Sequence, residues 1–513
     1  MSTINSLALL GFKCAPFVFD LSSEMSHVSI RDQVVRGRLL ARDLAALKNK
    51  PSTVLVIGAG FSGVSAALAC AEAGMRVVVV DGKPQPFSVQ DGVTQRFVGP
   101  FMYEWPAHGA LDQAYPPAST PQMPDGSILQ GLWNTALGNH PMDANDIAKR
   151  ARSALQGTIA GLAVPFQIHM SLSSVDRKAV HAFVSDFARH MGIYAGHVPW
   201  KAAWKMLDAA TFGTPWAASP AATTASSIVD FDAVILGAGF GEERVRLDVL
   251  SPNDLPAQGF HFWENDDWTT LSADDEIGVF GAGDGALQDA LRALTGYDHP
   301  LITMGVIRRN KAVDDAIAAI EMELVSIEQE ARAAAMWTQV AQATPGRPPF
   351  DRSQVDAHLD ARVAEIADRV ASKPGVAPVV LGVLRQGHGI VYHAFRESNY
   401  TKAYMLNRFL LHLIERSQES HGLLAGHVRY AKLAKVTRIQ GRDRGVGISR
   451  GRYEVEVDHP GGTKKLFLDR IAVRYGPDPA TLPGRQMVGL TRQQVAERTA
   501  IGQVQLPFVA HPR

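Results

Sequence analysis

Cysteine is almost absent from this chain: its 513 residues include two, Cys14 and Cys70. Two cysteines cannot build a disulfide framework, and no C-x-x-C pair is present for zinc or for a dithiol relay. This scarcity predicts a cytoplasmic protein. Net charge is absent as well. The 51 basic and 51 acidic side chains cancel, so no overall basic excess attracts nucleic acid. No segment approaches the roughly 18 consecutive apolar residues that a membrane helix needs. Met1 to Leu10 lacks the basic start and the small-residue cleavage site of a secretory signal. The 17 histidines form no H-E-x-x-H pattern, and neither a G-x-S-x-G elbow nor a P-loop occurs. The expectation is a protein without a metal, a nucleic-acid partner or a membrane partner, acting on a small-molecule substrate.

What the chain does have is apolar residues in ordinary measure and glycine in clusters. A hydrophobic share of 46% with 20% charged residues suits folded domains. At roughly 100–200 residues each, the length suggests two to four of them. Residues 27–48 carry Val34, Leu39, Leu40, Leu44 and Leu47 at helical spacing. Next, TVLVIGAG reads as a buried strand entering a glycine turn, with a helix from about Ser62 to Glu72 and a second buried strand from Arg76 to Asp81.

That first turn is Gly58-Ala59-Gly60-Phe61-Ser62-Gly63. Gly58 permits the tight turn, Gly60 lets backbone approach a pyrophosphate at the helix N-terminus, and Gly63 lets helix and strand pack closely. Asp81 ends the following strand, where a carboxylate accepts hydrogen bonds from ribose hydroxyls. The whole turn, Phe61 and Ser62 included, is a candidate cofactor cradle. A second strand-and-turn, DAVILGAGFG, brings Gly237 and Gly239. A third, EIGVFGAGDGALQDALRALTG, brings Gly281, Gly283, Asp284, Gly285 and Ala286 ahead of another helix.

The first of these segments, VIGAGFSGVSAALACAEAGMRVVVVD, resembles the FAD-binding fingerprint of glutathione-reductase-like and monooxygenase-like flavoproteins, with Asp81 where those families usually carry Glu. The second resembles the motif by which such proteins re-enter the FAD domain, reading Gly-Ala-Gly in place of Ala-Thr-Gly. The third resembles the NADPH motif of thioredoxin-reductase-like proteins. Their next strand ends in two arginines, and here LITMGVI, read as that strand, is followed by Arg308 and Arg309. The resemblance implies that these two hold the 2′-phosphate of NADPH. It also implies a disulfide reductase, which the cysteine content opposes. Taken with the YEWP segment, the chain resembles uncharacterised bacterial FAD/NAD(P)-binding oxidoreductases.

Gly82 to Pro141 is irregular and rich in Pro, Gly, Tyr and Trp. Long irregular segments inside compact domains are usually functional. Tyr103, Trp105 and His108 are therefore candidate catalytic residues over the flavin, with Glu104 as a further acid–base group. Arg96 is a candidate to steady a pyrophosphate or a flavin carbonyl. Two more aromatic–polar runs stand out, His261–Trp268 and His388–Asn407. Toward the end, VVLGVL and GIVYHAF read as strands, and three alternating segments read as an antiparallel meander.

The expected fold is α/β: a Rossmann-like FAD-binding domain with a second Rossmann-like NAD(P)-binding domain inserted and a C-terminal β-meander return. The boundaries are an N-terminal helical extension over 1–51, the first part of the FAD domain over 52–255, the NAD(P) domain with a helical insertion over 256–375, and the return over 376–513. The expected function is a FAD-dependent oxidoreductase. It takes hydride from NADPH (cofactors FAD and NADP) and then reduces or mono-oxygenates a small organic substrate. The alternatives are an amine or amino-acid oxidase using FAD alone, and a non-catalytic nucleotide-binding sensor or scaffold.

Overall fold

The computed structural model describes residues 12–21, 30–98, 105–106, 141–193, 213–223, 230–245, 259–266, 268–342, 352–387, 389–420, 428–431, 433–441 and 451–490. In its first half the chain forms β1 (Lys13–Ala15), β2 (Val18–Asp20), α1 (Ile30–Ala45), β3 (Thr53–Ile57), α2 (Phe61–Glu72), β4 (Arg76–Val80), β5 (Phe97–Val98), β6 (Met142–Asp143), α3 (Ala144–Ala160), β7 (Phe166–Met170), α4 (Ser174–Ile193), β8 (Thr214–Ala218) and β9 (Ala233–Leu236). Seven of these strands make one sheet in the order β1-β2-β9-β3-β4-β7-β8. The five inner strands run parallel and the two edge strands antiparallel. Parallel strands covered on both faces need apolar residues throughout, not in alternation. Accordingly every residue of β3 and β9 is buried, as are the last four of β4.

The N-terminal segment belongs to this unit and is not a purely helical extension. β2 pairs with β9 as a further parallel strand, and α1 lies across α2. A Cβ on Gly37 of α1 would stand 2.6 Å from the Ala66 nitrogen, so glycine sets how closely the two helices cross. Covered by α1 on one side and the sheet on the other, α2 buries Phe61 through Ala71 without a polar face. β5 and β6 pair antiparallel and close the base of the irregular segment.

The second half forms β10 (Ile277–Phe280), α5 (Asp284–Thr295), α6 (Pro300–Ile307), α7 (Lys311–Ala318), α8 (Glu321–Gln342), α9 (Arg352–Ala371), α10 (Val376–Gly382), β11 (Val391–Ala394), α11 (Met405–Ser420), β12 (Val428–Ala431), β13 (Lys435–Gly441), β14 (Tyr453–His459), β15 (Gly462–Leu468), β16 (Arg470–Val473) and α12 (Pro483–Val488). β12-β11-β10-β16 make an all-parallel sheet of four strands, and β13-β14-β15 an antiparallel sheet of three.

Two expected strands are helices. LITMGVI forms α6: His299 caps it by accepting from Leu301 N–H, Pro300 opens it, and Pro300, Thr303, Met304 and Ile307 are its buried face. A run that is apolar at nearly every position shows no period, so strand and helix look alike in it. The VVLGVL run likewise lies largely in α10, whose buried positions are Val376, Ala377 and Val380. The strand that pairs with β10 after the glycine turn is therefore β11, reached only after α5 to α10.

After β16 the chain returns to the first unit. Gly484 N–H donates to Asp20, while Gln486 and Met487 carbonyls on α12 bond His181 and Ser185 of α4. Among the described residues no helix is long and apolar enough to cross a membrane.

Candidate functional site

Gly58 and Gly237 end the adjacent strands β3 and β9, on either side of the point where strand order reverses in the first sheet. Ligands of open α/β sheets bind in the crevice at such a switch point, beyond the carboxyl ends of the strands. The glycines here divide into two kinds. A Cβ on Gly58 would meet the Gly237 oxygen at 2.4 Å, one on Gly63 the Gly58 oxygen at 1.9 Å, and one on Gly237 the Gly63 Cα at 2.8 Å. These three are packed against one another and tolerate no side chain. A Cβ on Gly60 or on Gly239 would meet nothing within 4 Å. Their bare backbone faces open space, as a cradle for a bulky anionic group requires.

The α2 N-terminus has no capping side chain, and a helix N-terminus of this kind favours an anion such as a phosphate. Asp81 accepts from Ala59 N–H at 2.7 Å and Lys83 N–H at 2.8 Å. These bonds fix the carboxylate beside the turn. Phe61 and Phe87 pack with centroids 4.7 Å apart, and Ser62 Oγ reaches the Gly237 oxygen at 3.4 Å. The residues present thus fit a dinucleotide.

The third glycine turn leaves β10, with α5 behind it. β10 lies between β11 and β16, so the order β12-β11-β10-β16 again reverses beside this turn. A Cβ on Gly281 would strike the Arg474 oxygen at 2.2 Å, and one on Gly283 would meet only the Thr401 oxygen, at 3.9 Å. A Cβ on Gly285 would lie 3.2 Å from the Phe262 ring, and Ala286 is fully buried. Asp284 does not face outward. Its carboxylate accepts from Tyr404 N–H at 3.0 Å, Asn407 Nδ2 at 2.7 Å and Gln288 Nε2 at 3.0 Å, tying the turn to α11. Burial pushes its pKa up to about 6, against the opposing pull of those donors. His393 of β11 bonds the Gly281 oxygen through Nε2 at 2.8 Å.

Several expected site residues lie elsewhere. Arg308 follows a helix, where Asp314 and Glu321 hold its guanidinium at 2.6 and 2.5 Å, and Arg309 is an exposed neighbour. Neither ends a strand beside the glycine turn. Arg96 does not face a flavin site. It is buried in a charge cluster with Asp266, Asp289, Arg292 and Arg474. Burial pulls its pKa down to about 10, and the like charges of Arg292 and Arg474 act in the same direction. Burial would raise the Asp289 carboxyl, but Arg96, Arg474 and Arg292 outweigh it and hold the group well below the usual carboxylate range. Trp105 is a core residue, its ring 5.4 Å from that of Phe409 on α11. Tyr103, Glu104 and His108 lie outside the described residues.

Sequence reading misses Asp289 and Arg292 because the apolar positions Leu287, Ala290, Leu291 and Leu294 make α5 look one-sided. The opposite face is buried too. It also undervalues Arg396. The pairings Ile57↔Val80 and Phe280↔Ala394 put Asp81 and Phe395 at equivalent ends of β4 and β11. The third glycine turn thus faces a buried phenylalanine, with the exposed Arg396 beside it.

Cys70 is sealed within α2, and burial pushes its thiol up to about 12. Cys14 is also buried. Cys70 lacks both the low pKa and the exposure of a redox thiol, and Cys14 lacks the exposure.

Residues 53–212, which include the first turn and Asp81, match the family described as DAO, FAD dependent oxidoreductase. Among solved structures the chain is similar to the bacillithiol disulfide reductase Bdr (YpdA) of Staphylococcus aureus, at 12% identity and a TM-score of 0.35 over 86% of this chain and 80% of that one. It is also similar to histamine dehydrogenase from Rhizobium sp. 4-9, at 10% identity and a TM-score of 0.28 over 91% of this chain and 43% of that one. The flavoprotein disulfide reductase RclA of Escherichia coli gives 10% identity and a TM-score of 0.28, over 86% of this chain and 60% of that one. No curated protein sequence matches. Residues 53–212 of the first α/β unit are thus similar to FAD-dependent oxidoreductase domains.

Proposed function

We propose that the protein is a FAD-dependent oxidoreductase that takes its electrons from NADPH, with the second parallel sheet serving as an inserted nucleotide-binding domain. The observation that carries the NADPH reading is the recurrence of one layout. Both sheets place a glycine turn and an uncapped helix N-terminus at a strand-order switch point. Gly58, Gly60, Phe61, Ser62, Gly63, Asp81, Gly237 and Gly239 would hold FAD. When bound, FAD supplies an acceptor for a hydride and a donor of electrons to the substrate. Gly281, Gly283 and the N–H groups opening α5 would hold the pyrophosphate of the second nucleotide.

Arg396 takes the role expected of Arg308 and Arg309. An acid at the end of the second strand suits the ribose of NADH, whereas a guanidinium there suits the 2′-phosphate of NADPH. Arg396 lies above the Tyr475 ring at 5.9 Å, exposed and next to the position where an acid would stand. The electron acceptor is a small organic molecule or oxygen and not an on-chain dithiol, since both cysteines are buried. We favour mono-oxygenation as the subclass, on the absence of dithiol machinery. The test is a comparison of coenzymes. Arg396→Ala should raise the apparent KM for NADPH about tenfold to a hundredfold, the loss of one charged hydrogen bond, and leave that for NADH nearly unchanged. Arg308→Ala should move neither. Equal effects of Arg396→Ala on both coenzymes would remove the assignment.

A further inference from the structure

The charge cluster around Arg96 joins the two α/β units. Asp266, Asp289, Arg292 and Arg474 come from the second sheet, its helix α5 and the segment leading into them, and form two carboxylates against two guanidiniums. Arg96, from the first unit, enters this balanced set as a fifth charge. Its side chain is 4% exposed, and those of Asp266 and Asp289 are 1% and 0%. It pairs with Asp289 on α5, and its Nη2 lies 3.2 Å from Asp266 Oδ2. The Phe262 ring lies 5.1 Å from its guanidinium and 5.7 Å from that of Arg474, while resting on Gly285 of the nucleotide turn.

Further contacts cross the same seam. Asn265 accepts from Thr94 N–H at 2.9 Å and donates to the Gly92 oxygen at 2.8 Å, and Gln95 accepts from Asp266 N–H at 2.6 Å. Trp105, on the chain leaving β5, inserts into the core around Phe409. Domains joined by modest polar interfaces usually move against each other. A desolvated, directional charge set is different: removing it from register leaves buried charges unpaired, which is strongly unfavourable.

We propose that Arg96 is a positioning residue. Sealed on Asp289 and Asp266 and backed by Trp105 on Phe409, it locks the two units in one orientation. The nucleotide on α5 then meets FAD without rotation of one unit against the other. The catalytic consequence rests on the NADPH reading above; the lock itself does not.

The lock is read by the distance between spin labels on Val175→Cys (α4, 71% exposed) and Met322→Cys (α8, 61% exposed) in the full-length chain. Both native cysteines are buried and leave these as the labelled sites. One narrow distance distribution, unchanged by NADPH, is expected, and Arg96→Met should broaden or split it. That variant removes the unbalanced cation and leaves two charges of each sign, so it should fold. A broad or NADPH-dependent distribution in the parent would overturn the proposal, as would a narrow one in Arg96→Met. Single-turnover flavin reduction by NADPH should fall about tenfold to a hundredfold in Arg96→Met, with NADPH affinity and reduction by dithionite unchanged. An unchanged rate would remove the catalytic consequence. If NADPH does not reduce the parent flavin at all, the coenzyme reading fails and the distance distribution still decides the lock.

Discussion

Gly60 and Gly63 occupy one turn yet meet opposite surroundings, open space for the first and the Gly58 oxygen for the second. Their alanine variants should therefore fail differently. Gly60→Ala should retain the parent Tm without FAD and lose FAD uptake. Gly63→Ala should lower the Tm of the apoprotein itself, because the contact at 1.9 Å is to backbone and cannot give way. Similar apoprotein Tm values for both variants would contradict the division of the turn into packing and binding glycines. Asp284 gives a pH test. Its folded pKa of about 6 lies above its unfolded value, so the folded chain holds this proton more tightly. The stability it contributes is full below the ordinary carboxylate pKa, near 4, and is lost as pH rises through about 6, in all about 3 kcal/mol. Asp284→Asn keeps an oxygen to accept from Tyr404 and Asn407 and carries no charge. Its Tm relative to the parent should rise between pH 4 and 7 and then level off. A pH-independent difference would show that Asp284 does not titrate in that window.

At the scale of elements, α5 carries its charges on a buried face, which makes Asp289 the costliest residue of the helix to change. Asp289→Asn leaves Arg96, Arg292 and Arg474 facing Asp266 alone. It should destabilise the protein by about 3–5 kcal/mol, measured by denaturant unfolding, with Arg96→Met costing far less. The legibility of the elements follows the same physics. The β3-α2-β4 unit is readable because glycine spacing, apolar strands and the closing acid agree. α6 is not, because an unbroken apolar run has no period, and its helical signal lies in the His299-Pro300 cap. Arg96 stands out in the sequence, but its partner does not. The aspartate it meets is 193 residues away, a pairing that no local pattern encodes.

For the whole molecule, the first unit is legible in the sequence and the second unit only partly so. The turn and helix of the second unit announce themselves. Its next strand, β11, is displaced by five helices, α6 to α10, and carries the guanidinium of Arg396 past its end. The neutral overall charge conceals this arrangement, in which three guanidiniums and two carboxylates meet at the seam between units. The most direct measurement of the central claim is an anaerobic titration of the purified, FAD-loaded protein with NADPH, following the visible absorbance of oxidised flavin. The expected result is a yellow protein whose band bleaches stoichiometrically with NADPH. A protein that takes up no FAD, or whose flavin band NADPH leaves intact, would contradict it.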